Sequence, residues 1–231
     1  MRLIHCGDSF TFGVGCENPD ETSYASLVAA ELQAESINLS RSAGSNYVVY
    51  LQVLKAIELK PDFVLINTTS TDRIEWVSDN AVLDRPIGIE QFSYLNVNRS
   101  SFVSSLPNYK PNILCDQIHG LQNPRYNDQD PKRLNTVLQY STIMMDGGIK
   151  RDYDSGLIIL AVEFLKNAGI PHLVLAGDYL FDYLTGIGPL LYINFFKLTA
   201  KYPDRFGTTH CSEIAHEIVA NQVIQYIRSI Y

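Results

Sequence analysis

The chain has 231 residues, 46% apolar and 19% charged, which suits one soluble core of good size rather than two. Its net charge of −7 argues against a nucleic-acid or anionic-membrane partner, each of which calls for a basic face. No run nears the roughly 18 apolar residues that span a bilayer. Asp8 and Ser9 interrupt any signal-peptide core, and Cys6, Cys16, Cys115 and Cys211 lack metal-finger spacing, so a reducing cytoplasmic setting with free thiols is expected.

Met1 to Cys6 reads as a short buried strand, and Gly7 lets the backbone turn sharply after it. Ser9 then stands just past the strand's carboxyl end, the edge where open α/β sheets bind ligands. A serine hydroxyl is a weak nucleophile until a base takes its proton. Gly13-Val14-Gly15 reads as a loop. Asp20 to Ser23 reads as a helix start, followed by Tyr24, Leu27, Val28 and Leu32 at helical spacing. Ser36 to Leu39 is a second strand, ending in the small-residue loop Ser40 to Asn46. A helix carrying Tyr47, Tyr50, Leu51, Leu54 and Ile57 follows, and Pro61 ends it. Phe63 to Ile66 is continuous and apolar, as a strand buried on both faces is. This βαβαβ order predicts a three-layer α/β/α, doubly wound, mainly parallel sheet of flavodoxin-like type.

Regularity stops from about Val77 to Arg151, where prolines, polar residues and scattered aromatics alternate without period. The expectation is one domain over residues 1–231 with a long irregular insertion at about 77–150 that walls a pocket on the sheet's carboxyl edge. A helix is expected from Asp154 to Gly169, with Pro171 beyond it. His172 to Gly177 is the fourth strand. The aromatic-rich stretch Asp178 to Asp204 is expected to be partly helical around Leu190 to Lys201. Thr208 to Ser212 leads into the last helix, with Ser212 as N-cap.

Gly7-Asp8-Ser9, the glycine Gly44 after the second strand, and His210-x-Ser212-x-x-x-His216 before the last helix together resemble the GDSL, or SGNH, family of serine esterases and acyl hydrolases. The resemblance covers residues 1 to about 76 and about 154 to 231. It implies Ser9 as nucleophile, His210 as general base and then acid, and an oxyanion held by the N–H groups of Ser9 and Gly44, with Asn46 beside them. An imidazole with an ordinary pKa of about 6.5 suits that role. His216 reads as a helix-face residue. The third block departs from the family's Gly-x-Asn-Asp: here it is Thr69-Ser70-Thr71-Asp72, so either the Thr71 hydroxyl or the Asn67 amide supplies the remaining donor. Arg73, Glu75 and Trp76 read as ion-pair and packing residues at a pocket wall, or as a solvated loop. The aspartate three residues before the histidine is replaced by Gly207. Its carbonyl is then expected to orient the ring in a Ser9–His210 dyad, with Asp204 as the nearest upstream carboxylate.

The resemblance implies hydrolysis of a small acyl or O-acetyl ester, on a small molecule or a carbohydrate, with no cofactor or metal. The alternative is a non-catalytic binding or assembly protein on the same scaffold, with the aromatic insertion as its carbohydrate or subunit surface.

Overall fold

The computed structural model describes residues 1–42, 44–71, 73–78, 112–117, 146–206 and 210–230. Its central strands are β1 (Arg2–Cys6), β2 (Glu35–Asn38), β3 (Phe63–Asn67), β6 (His172–Ala176) and β7 (Leu190–Tyr192). Among the described residues these five form one sheet in the order β2-β1-β3-β6-β7, and every pairing is parallel. The order reverses between β1 and β3, which opens a crevice at their carboxyl ends. The doubly wound α/β expectation is met.

Strand alternation divides the core. Leu3, Leu65, Leu173 and Leu175 pack on one face against helices α3 (Tyr24–Glu31) and α7 (Glu213–Ile230). Ile4, Cys6, Val64, Ile66 and Val174 pack on the other against α4 (Asn46–Glu58) and α5 (Gly147–Asn167). β3 and β6 are buried at every position, as a central parallel strand covered on both faces must be. Short helices α1 (Ser9–Phe12), α2 (Pro19–Thr22) and α6 (Phe195–Lys201) lie in the connections. No helix among the described residues is long and apolar enough to cross a membrane.

Three expectations change. The chain enters the irregular region on an antiparallel pair, β4 (Arg73–Ser78) with β5 (Asn112–Gln117). The long helix begins at Gly147, seven residues early, because the Asp146 side chain accepts from the N–H groups of Gly148 and Ile149 and starts the helix despite its glycines. Leu190–Tyr192 is an edge strand paired to β6, and only Phe195–Lys201 is helical. Residues 79–111 and 118–145 lie outside the described set, and so does the expectation of a pocket wall built by the insertion.

Candidate active site

The Ser9 turn is built by what surrounds Gly7. A Cβ on Gly7 would stand 2.2 Å from Thr11 Oγ1, so only glycine fits. Buried Gln52 of α4 brackets its peptide: Gly7 N–H donates to Gln52 Oε1 at 2.6 Å, and Gln52 Nε2 donates to the Gly7 carbonyl at 3.1 Å. Arg41 N–H also donates to that carbonyl, tying the loop after β2 to the turn. Asp8 caps α1 by accepting from Phe10 N–H at 3.0 Å. Ser9 is the first residue of α1 and only 2% exposed.

Asp8 is the polar hub. Its carboxylate also accepts from Asn67 Nδ2 at 3.2 Å and Thr69 Oγ1 at 2.9 Å, and pairs with Arg73 Nη1 at 3.1 Å. Both partners of that ion pair are almost fully buried. Burial leaves a charged pair intact only where hydrogen bonds replace water: the Asp8 oxygens have them, while the buried Arg73 Nε has no partner among the described residues.

The histidine loop lies against this turn. The rings of His210 and Phe10 have centroids 5.0 Å apart. Gly15 holds φ at +100°, and a Cβ there would stand 3.2 Å from the Cβ of His210 and 2.7 Å from the Cys211 carbonyl oxygen. Glycine at this point lets the two loops close on each other. Asp204 accepts the His210 N–H at 3.1 Å and donates its own N–H to the His210 carbonyl at 2.9 Å. The carboxylate therefore shapes the loop through the backbone. Gly207, whose carbonyl was expected to orient the ring, lies outside the described residues.

The candidate oxyanion donors fare differently. The Gly44 N–H donates to the Arg41 carbonyl at 3.1 Å, and the Gly44 carbonyl accepts from Arg73 Nη1 at 2.6 Å. Asn46 is fully buried, and both ends of its amide are engaged. Its Oδ1 accepts from Thr69 N–H, and its Nδ2 donates to the Thr69 carbonyl and to Asp154, at 3.0 to 3.1 Å. The structure thus makes Asn46 a cross-link between α4 and the loop after β3. Asn67 ends β3, and its amide serves Asp8. Thr71 is half-buried at the end of the same loop.

His216 stands on a helix face, as expected, and is fully buried there. Its Nδ1 accepts the Tyr24 N–H at 3.1 Å, and burial lowers its pKa to about 4. His216 is thus a neutral strut between α3 and α7. Burial, the largest of the causes, pushes the Cys16 thiol up to about 11 and the Cys211 thiol up to about 12, which disfavours a thiolate nucleophile at either.

A cavity of about 320 Å³ opens at the carboxyl ends of β1, β3, β6 and β7. Asp8 and Phe10, on either side of Ser9, form part of its wall with Thr68, Thr69 and Ser70. Across it stand Phe195 and Phe196; Phe195 stacks on Phe10 at 4.7 Å between centroids, and Phe196 meets Phe10 edge-on at 6.1 Å. Ser9, His210, Gly44, Thr71, Asn46 and Asn67 are not in that wall. In sequence, residues 178–204 read as aromatic-rich, with no pocket assigned to them. A glycine directly after a buried strand, Gly177, was the available signal.

No protein-family model matches the chain, and no curated protein matches it in sequence. Solved structures do share its fold. The acetyl xylan esterase AlAXEase is 12% identical with a TM-score of 0.52, over 96% of this chain and 98% of that one. A protein assigned to the G-D-S-L family of lipolytic proteins, from Desulfitobacterium hafniense, is 10% identical with a TM-score of 0.50, over 97% and 98%. The esterase EstA from Pseudoalteromonas sp. is 12% identical with a TM-score of 0.50, over 99% and 97%. The chain has an SGNH/GDSL-type fold.

Proposed function

We propose that this chain is a serine hydrolase of the SGNH type, cleaving a small-molecule or carbohydrate ester through an acyl-enzyme on Ser9. The observation that carries the reading is the packing of the His210 loop onto the Ser9 turn, through Gly15 and Phe10, beside the carboxyl edge of the parallel sheet. In the reaction His210 takes the Ser9 proton as Oγ attacks the ester carbonyl. The tetrahedral oxyanion collapses, the C–O bond breaks, and His210 returns the proton to the leaving alcohol. Water then repeats the sequence and releases the acid. The backbone N–H groups of Ser9 and Gly44 are the proposed oxyanion donors, with the Thr71 hydroxyl beside them. For Gly44 this requires that substrate displace the Arg41 carbonyl as hydrogen-bond partner. The cavity beside Asp8 and Phe10 is the proposed seat of the substrate's larger half.

The same engaged donors favour a second reading, a binding protein on an esterase scaffold. Gly44 N–H, Asn46 and Asn67 are all bonded within the chain, and threonine replaces the family's block-three asparagine. Labelling with a fluorophosphonate separates the two. It is an apt probe, since the similarly folded EstA is described as inhibited by monoethylphosphonate. Labelling on Ser9 that is abolished by Ser9→Ala and by His210→Ala supports the hydrolase. Folded wild-type protein that takes no label supports the binding module.

A further inference from the structure

One cation fastens three loops at the candidate nucleophile. Arg73, the first residue of β4, is 5% exposed, and its Nη1 reaches both Asp8 Oδ2 at 3.1 Å and the Gly44 carbonyl at 2.6 Å. Asp8 joins the Ser9 turn and caps its helix, Gly44 belongs to the loop after β2, and Arg73 follows the loop after β3. The neutral donors on Asp8, from Phe10, Asn67 and Thr69, satisfy its lone pairs but not its charge. An uncompensated buried carboxylate is costly. Beside Ser9 it would also oppose the negative charge that grows on the carbonyl oxygen during attack, in a site where low dielectric enlarges the effect.

We propose that Arg73 is a positioning residue for Ser9: it cancels the Asp8 charge and locks the Ser9 turn to the Gly44 loop. The inference rests on the serine-hydrolase reading. It assigns Arg73 no contact with substrate; its effect runs through Asp8 and Gly44. The role needs a cation at that point rather than mere bulk. Lysine should serve in part, and an apolar side chain of the same length should not. Removing both charges should also relieve the defect. In Asp8→Asn the remaining Oδ1 still accepts from Phe10, and the Thr69 hydroxyl can turn to accept from the new amide.

The test measures fluorophosphonate labelling rates, and kcat and KM for p-nitrophenyl acetate, in wild type, Arg73→Met, Arg73→Lys and the double variant Asp8→Asn/Arg73→Met. Urea unfolding confirms that each is folded. Arg73→Met is expected to label about 100-fold more slowly, with kcat carrying the loss and KM within about threefold. Arg73→Lys and the double variant should each recover at least tenfold over Arg73→Met. Should Arg73→Met not fold, the other two are compared with wild type, and labelling more than about 100-fold below wild type in both overturns the inference. So does Arg73→Met labelling within threefold of wild type, or a folded double variant no faster than the single one. Wild-type protein without label sinks the hydrolase reading and this inference with it; a labelled wild type with an equally labelled Arg73→Met sinks this inference alone.

Discussion

Asp204 holds His210 by the backbone: its carboxylate accepts the His210 N–H at 3.1 Å, and its own N–H returns a bond to the His210 carbonyl at 2.9 Å. A second carboxylate oxygen accepts from Phe206 N–H at 2.6 Å, so the side chain organises the loop on both sides. If Asp204 acts as a loop brace, Asp204→Asn keeps one acceptor and costs less than about tenfold in turnover or labelling, roughly 1.4 kcal/mol of barrier. Asp204→Ala should cost more, in stability as well as rate, by about 1–3 kcal/mol for the N–H groups left without a partner. Steady-state kinetics and urea unfolding check both. A thousandfold loss in Asp204→Asn with the fold intact would instead make Asp204 the acid of a full triad.

The buried histidines set an acid limit on stability. Burial lowers the pKa of His216 to about 4 and that of His5 to about 3, against about 6.5 unfolded. Between those values the unfolded chain binds protons that the folded chain refuses, so stability rises with pH there. The contribution is complete above about pH 6.5 and is lost as pH falls from there through about 4 for His216 and about 3 for His5. Each histidine accounts for a few kcal/mol, to order of magnitude. Neither ring nitrogen of His5 has a hydrogen-bond partner among the described residues. His5→Leu should therefore flatten the acid slope and raise stability at neutral pH. Urea midpoints from pH 3.5 to 7.5 measure this, and an unchanged slope would show that His5 charges freely in the folded state.

Gln52 connects the fold to the turn at one point. It accepts from Gly7 N–H and donates to the Gly7 carbonyl from inside α4. Gln52→Leu keeps the volume and strands the buried N–H, so a loss of about 1–3 kcal/mol is expected in urea unfolding. Ser9 labelling should slow as the turn loosens. A variant as stable as wild type would mean that Arg41, which shares the Gly7 carbonyl, carries the turn alone.

What was legible in the sequence follows from the range of the forces involved. β3 and β6 carry continuous apolar runs, Phe63–Ile66 and Leu173–Ala176, because each strand is covered on both faces, and the run itself displays that burial. The Ser9 turn announced itself through Gly7, and His210 through its place before an amphipathic helix. β7 was missed because three residues carry no period. The start of α5 was missed because Gly147, Gly148 and Gly156 dilute its pattern, while Asp146 decides its position by two hydrogen bonds. Side-chain roles were least legible. The sequence shows that Asn46 and Asn67 carry amides but not that Thr69 and Asp8 take them up. His216 was legible as a helix-face residue, but its partner was not, because the N–H of Tyr24 stands 192 positions away. Arg73 could be read as an ion-pair residue, but its partner Asp8 is visible only once β1 and β3 lie side by side.

Gly15 offers the sharpest test of how the Ser9 and His210 loops meet. Its φ of +100° lies where an L side chain is strained, by roughly 1–2 kcal/mol. A Cβ there would also press on the Cys211 carbonyl at 2.7 Å and on the Cβ atoms of Asp204 and His210 at 3.2 Å. The carbonyl is backbone, so it cannot swing aside, and the loop carrying His210 must shift. Gly169 supplies the control. Its φ of +68° carries the same kind of strain, but nothing stands within 4 Å of its would-be Cβ. Gly169→Ala should therefore lose about 1 kcal/mol of stability and label on Ser9 at the wild-type rate. Gly15→Ala should lose more stability and label at least tenfold more slowly, because His210 is displaced from Ser9. Equal labelling rates in the two variants, both folded, would show that contact between these loops does not govern Ser9 reactivity.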